Sequence, residues 1–247
     1  MTLSLFLLAH FIADFMLQNT AMANMKIKDR KVFLKHCLIY AAIISTVVIF
    51  YGTVLQILLF SVSIALSHFI VDIIRIEMQK RHPNSEQREF RRFIFDQLIH
   101  IVILMVASFF IPDKNFIGQF VSDISYTYLN IDPYAAVVIT TAYVICLQPA
   151  GVFIKRIFLH LGYQKVDTEE EAKKSGFLIG VLERICILTL ALLGQFTAIS
   201  FVIAAKSLAR IKQLEDKDFA EKYLVGTLLS VVIALICGIV VQKLLGI

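Results

Sequence analysis

The chain lacks the short motifs that mark most soluble enzymes. It has no P-loop, no GxGxxG, no nucleophile elbow and no internal repeat. Its four cysteines, Cys37, Cys146, Cys186 and Cys237, all fall in apolar segments and none is spaced CxxC. That excludes a Cys-ligated zinc knuckle and a CxxC redox pair, and it leaves buried free thiols as the expectation. No apolar run ends in a small-residue cleavage site. The first run begins at Thr2 without a positive n-region and carries His10 and Asp14, so it reads as a retained span and not a signal peptide. Charge is scarce: Asp, Glu, Lys and Arg make up 17% of the residues, whereas 58% are hydrophobic and the mean hydropathy is +0.78. Soluble domains are about 45–50% apolar. The fold class expected is therefore an all-α, polytopic integral membrane helical bundle. The formal net charge of +5 is ordinary for loops facing the cytoplasm and gives no reason to expect nucleic acid as a partner.

A helix needs roughly 20 residues to cross the hydrocarbon core. Runs that qualify lie near 2–18, 36–52, 54–75, 93–111, 134–154 and 223–245, with an ambiguous stretch from 177 to 212. The first connector carries Lys26, Lys28, Arg30, Lys31 and Lys35, and the connector after the third run carries Lys80, Arg81, Arg88, Arg91 and Arg92. Residues 112–133 instead carry Asp113, Asp123 and Asp132 against Lys114, and 155–174 is again basic, with a Glu169–Glu171 run. Excess Lys and Arg mark the cytoplasmic side, so the N-terminus is expected outside and the first connector inside. The expected location is a bacterial cytoplasmic membrane, multi-pass. The stretch 177–212 reads either as one long helix at 185–205, giving seven spans, or as a hairpin at Gly194-Gln195, giving eight. The hairpin satisfies the charge rule but turns without Pro, Asn or Asp, and the single helix is preferred. Two regions are expected, residues 1–111 carrying the polar site and residues 112–247 forming the C-terminal membrane helices.

What is present is a set of ionisable residues where they cost most. His10, Asp14, His36, His68, Asp72, Asp96 and His100 all lie within or at the edge of apolar runs, at a cost of a few kcal/mol each in a bilayer core. Three pairs share one spacing: His10-x-x-x-Asp14, His68-x-x-x-Asp72 and, reversed, Asp96-x-x-x-His100. Residues four apart share a helix face. The third pair runs opposite to the first two, in a helix of opposite direction, so the histidines fall in one layer. The aspartates fall in a second, about 6 Å nearer the cytoplasm at 1.5 Å rise per residue. His36 opens its run near the aspartate layer, with Tyr40 one turn deeper. Imidazoles with carboxylates suit a divalent transition metal, zinc first, with manganese or iron also admitted by Asp oxygens. All seven residues are candidate ligands. Asp14, Asp72, Asp96 and His36 are the candidates for acid–base work. A hydrogen-bonded packing network and a proton relay are the other readings of the same residues. His82 and His160 lie in connectors and read as surface residues.

The segments AHFIADFMLQ (9–18), HFIVDIIR (68–75) and FDQLIH (95–100) resemble a family of uncharacterised bacterial membrane proteins known only as a domain of unknown function. The resemblance covers roughly residues 1–110, the rest looking like an extension. It implies no activity. It does imply that a His of many relatives is replaced here by Tyr40.

In the second half, Arg184, Lys206 and Arg210 could bind a phosphate-bearing substrate. Alternatively they snorkel to water and pair with Glu183. Gly176-x-x-x-Gly180 is a small-x-x-x-small pair of the kind that lets helices approach. The function expected is a membrane-embedded metal-dependent hydrolase with a site open to the cytoplasmic side. It would act on a lipid head group, phosphoester or peptide bond at the membrane surface. The alternatives are a metal-ion or proton transporter or sensor, and a non-catalytic membrane partner protein.

Overall fold

The computed structural model describes residues 1–81, 86–112, 114–163 and 170–247. Among these the chain is helical, with a single isolated backbone bridge between Tyr51 and Lys114. The helices are α1 (Thr2–Phe11), which continues into a wider π turn at Ile12–Leu17, then α2 (Thr20–Met25), α3 (Arg30–Val48), α4 (Val54–Arg81), α5 (Glu86–Phe110) and α6 (Phe116–Thr127). They are followed by α7 (Pro133–Leu147), α8 (Pro149–His160), α9 (Glu170–Leu192), α10 (Phe196–Ala209), a 3-10 turn at Gln213–Glu215, and α11 (Lys217–Leu245). Among the described residues, five helical stretches are long and apolar enough to cross a membrane: Arg30–Val48, Val54–Arg81, Arg88–Phe110, Pro133–His160 and Lys217–Leu245. Thr2–Leu17 and Phe196–Ala209 are apolar but shorter. The 14 residues of α10 rise only about 21 Å at 1.5 Å per residue, less than the hydrocarbon thickness.

Two compact units are present, Met1–Thr141 and Ala142–Ile247. The division falls later than the expected 111/112 boundary because α6 is tied to the first unit. The Asn115 side chain accepts from Gly118 N at the start of α6 and donates to the carbonyls of Ile49 and Gly52. Gly118 abuts the Phe50 carbonyl so closely that a Cβ there would overlap the backbone oxygen. Gly118→Ala is expected to destabilise the protein by about 1–3 kcal/mol, read as a lower thermal midpoint in detergent. The connector expected at 112–133 thus contains an ordered helix. Its last residues cap α7: Asp132 accepts from Tyr134 N and the Tyr126 hydroxyl, and these bonds, the Tyr126 one first, hold its carboxyl below the usual range.

In the first unit, polarity is turned inward. The outer faces of α4 and α5 expose Leu55, Leu59, Val62, Leu66, Ile70, Val102, Val106 and Phe109, as a lipid-facing surface requires. The inner faces repeat with a four-residue step, which stacks side chains on one helix face. Phe6, Ile44, Ile64 and Leu104 form an apolar layer, all at 3% exposure or less. One turn along each helix come His10, Tyr40, His68 and His100, and one turn further Asp14, His36, Asp72 and Asp96. The apolar layer closes one end of the polar site.

In the second unit, α9 and α11 pack side by side. Gly238 faces Ala191, where a Cβ would come within 2.9 Å of the Ala191 Cβ, and Gln242 Nε2 donates to the Ala191 carbonyl. The expectation of one helix across 185–205 is overturned. The helix stops at Leu192, Gly194 adopts φ +70°, and α10 returns so that Lys206 Nζ meets Glu183. A glycine alone suffices for this turn because only the left-handed backbone region is needed, and Gly enters it without strain. At Gly176 no described residue stands within 4 Å of a Cβ, so among the described residues Gly176-x-x-x-Gly180 does not act as a packing motif. The cysteines are free, but only Cys146 is buried, and Cys186 is exposed on the apolar flank.

The hairpin places the basic connectors 155–163 and 206–222 at the same end of the second unit. Single cysteines at Lys28, Arg88 and Lys212 are expected to be labelled from the cytoplasm, and those at Asp123 and Gly194 from outside. Labelling of Gly194 from the cytoplasm would contradict the charge rule.

Candidate metal centre

The site is built by four helices and one widened turn. After His10 the helix loosens into the π turn Ile12–Leu17, which carries Asp14. Single π turns of this kind occur often at functional sites. There Asp14 Oδ2 lies 3.8 Å from His10 Nδ1, while Oδ1 reaches toward the other helices. His36 enters from α3, His68 and Asp72 from α4, and Asp96 and His100 from α5. All four histidines are at most 2% exposed.

The donor atoms converge. His36 Nε2 and His68 Nε2 stand 3.1 Å apart. Asp72 Oδ2 is 3.2 Å from the first and 3.7 Å from the second. Asp14 Oδ1 is 3.7 and 3.6 Å from the same two nitrogens. Donors held at about 2.0–2.2 Å from one metal lie about 2.8–3.6 Å from each other at octahedral and tetrahedral angles. The donor spacing therefore matches a metal shell, with Lys26 Nζ, 2.7 Å from Asp72 Oδ2, having to move aside for an ion. Two overlapping triads of possible ligands share His68: His36, His68 and Asp72, and His10, Asp14 and His68.

Several buried polar atoms make no hydrogen bond among the described residues, among them His10 Nδ1, Asp14 Oδ1, Asp96 Oδ1 and His100 Nε2. Buried polar groups are ordinarily hydrogen-bonded, so these atoms mark where a ligand would be bound. For His100 the tautomer follows from its neighbour. Its Nδ1 is 2.9 Å from the Asp96 carbonyl oxygen, which can only accept, so Nδ1 carries the proton and Nε2 presents its lone pair inward. The rings of His10, His68 and His100 lie 4.5–6.5 Å apart, centroid to centroid. The histidine layer therefore forms as the spacing predicts.

The aspartates do not cluster as three. Asp96 Oδ2 is taken by Arg75 Nη1 at 2.9 Å and Gln97 Nε2 at 3.1 Å, and Asp96 belongs to neither triad, nor does His100. Tyr40 packs against the histidine layer. Its ring stacks on His68 at 3.5 Å and 10° between planes, fixing the imidazole's tilt.

Sequence reasoning missed three cations. Lys26, counted as a loop charge, is buried: after Gln18 the chain turns, Asn19 caps α2 by accepting from Met22 N, and Lys26 Nζ donates to Gln18 Oε1 and to Asp72 Oδ2 at 2.7 Å. Arg75 neutralises Asp96, and Arg92 is buried against Glu89 and the Met78 carbonyl. The available signal was charge balance, since buried carboxylates at these positions demand nearby cations. His82 and Glu169 lie outside the described residues, and His160 closes α8 half-buried. Of the second-half cations, Lys206 pairs with Glu183, as the snorkelling alternative holds, while Arg184 binds the carbonyls of Cys146 and Leu147.

No curated protein and no solved structure matches the chain. Residues 2–126, which include every member of the His/Asp cluster, match the family described as "Protein of unknown function (DUF3307)". The chain belongs to that family.

Proposed function

We propose that the protein is a membrane-embedded, metal-dependent hydrolase whose site opens toward the cytoplasmic leaflet, with zinc as the metal. The observation that carries this reading is the convergence of His36 Nε2, His68 Nε2, Asp14 Oδ1 and Asp72 Oδ2 at 3.1–3.7 Å, deep in the first unit. His36, His68 and Asp72 would hold the metal, and His10 and His100 would complete the shell or orient it. A divalent ion there supplies an activated water at neutral pH and Lewis-acid stabilisation of charge. Asp14, whose Oδ1 has no hydrogen-bond partner, takes a proton as general base. The same carboxyl, once protonated, would return it to the leaving group. Arg75, held by Asp96 and Glu89, offers a cation to an anionic substrate. The apolar layer of Phe6, Ile44, Ile64 and Leu104 excludes water from the far end, which leaves the cytoplasmic side as the approach. That approach suits a phosphoester or head group at the membrane surface.

A second reading, a carrier or sensor for metal ions or protons, is favoured by Lys26. Its ammonium rests on Asp72 and is a built-in competitor for a bound cation. One experiment separates the two. Purified protein, stripped with chelator and reloaded with zinc or manganese, is assayed on phospholipid micelles and on a soluble phosphodiester. Metal-dependent turnover lost in Asp14→Asn supports the hydrolase. Bound metal without turnover, but with ion flux in proteoliposomes, supports the carrier. Absence of stoichiometric metal refutes the hydrolase and the metal carrier, and leaves proton flux in the same proteoliposomes as the test of a proton carrier.

A further inference from the structure

The second unit contains a cavity of about 440 Å³ between α8, α9 and the α10–α11 pair. Its lining is asymmetric in charge. Lys155, Arg184, Lys206, Arg210 and Lys222 border it, and Glu183 is the single carboxylate among the described lining residues. The Lys206–Glu183 pair neutralises that carboxylate, and Thr227 takes a further bond from Lys206. Arg184 is only 3% exposed, yet its described partners are two backbone carbonyls, not an anion. A guanidinium so buried carries its full charge into the cavity wall.

The backbone around Arg184 is cut away to leave it open. A Cβ at Gly180 would stand 3.2 Å from Arg184 Nη1, and one at Gly151 would stand 3.4 Å from Nη2 and 2.9 Å from the Phe177 ring. Glycines on two facing helices thus keep side chains away from both terminal nitrogens. The mouth is aromatic as well as cationic: Lys206 lies over the Tyr223 ring and Lys222 over the Tyr163 ring. The deeper wall is apolar, with Ile154 and Phe158. A volume of this size lies in the range of small-ligand sites, about 300–1,000 Å³.

We propose that this cavity binds a phosphate group, held by Arg184 at its base and by Arg210 and Lys222 at its mouth. Planar guanidinium donors match phosphate oxygens, and the ammonium groups add point charge. The apolar wall and the position between helices of a membrane-spanning unit suit the head group of an anionic phospholipid. Free phosphate offers the same recognition chemistry. The described lining belongs to the second unit alone and does not depend on the metal-centre reading.

The test uses the full chain in neutral detergent, titrated separately with phosphatidylglycerol, phosphatidylcholine and inorganic phosphate, with the thermal midpoint as readout. Phosphatidylglycerol is expected to raise the midpoint saturably and phosphatidylcholine is not. The half-effect concentration should rise at least about tenfold, equivalent to one lost charge-assisted bond, in Arg210→Gln/Lys222→Gln and in the cavity-filling Gly180→Leu. Lys243→Gln, near the other end of α11, should leave it unchanged. Saturation by inorganic phosphate with the same sensitivity to the variants would identify a soluble ligand for the same site. No saturable effect of either, or an effect indifferent to Arg210→Gln/Lys222→Gln, would overturn the proposal.

Discussion

Protein carrying His68→Ala is expected to lose its metal. Wild type purified without chelator should hold about one zinc per chain. The variant should hold less than about a tenth of that, because losing even an outer-shell partner costs 10–100-fold in affinity and in the proposed site His68 would be a direct donor. The effect is largest at this residue for a geometric reason. His68 is common to both triads, and its Nε2 stands within 3.7 Å of His36, Asp14 and Asp72 donors alike. Asp96→Asn gives the contrast. Its Oδ2 is engaged by Arg75 and Gln97, and Asp96 lies in neither triad, so metal content should stay near the wild-type value while stability falls. Elemental analysis of the purified variants checks both. Equal loss of metal from His68→Ala and Asp96→Asn would contradict the division of the aspartates.

The second large effect concerns Lys26. In metal-free protein, Lys26→Met removes the ammonium from a buried carboxylate, both side chains being at most 6% exposed. Breaking a buried ion pair from one side costs about 3–5 kcal/mol. Chelator-treated Lys26→Met should therefore melt well below chelator-treated wild type. Added zinc should recover most of the difference, because a bound cation compensates Asp72 in place of the ammonium. Zinc should also bind the variant more tightly than wild type, since no ammonium must be displaced. Thermal unfolding with and without zinc measures both, and a deficit that zinc leaves untouched would show that Lys26 acts on packing alone.

The local part of this site was legible because it depends on one helix at a time. A four-residue step puts His10 over Asp14 and His68 over Asp72 whatever the neighbours do, and the reversed order at Asp96 and His100 reports a reversed helix. The same step extends outward to Phe6, Ile44, Ile64 and Leu104, whose apolar identity closes the site at one end. The hairpin was harder to see. Its only mark is Gly194, and a lone glycine in an apolar run is compatible with a continuous helix.

Taken alone, the sequence determined that this is a helical membrane protein and which side chains face one another along each helix. It also set each His above its Asp along α1 and its π turn, α4 and α5, because helix periodicity acts over one or two turns. Only the tertiary structure decided how charge is shared out. Asp96 Oδ2 pairs with Arg75, and Lys26 folds back from α2 onto Asp72. Tyr40 supports His68 as a stacked plate. α9 and α10 double back at Gly194 to pair Glu183 with Lys206. Each of these outcomes depends on which helix lies beside which, and a buried charge accepts whichever partner that packing brings within reach.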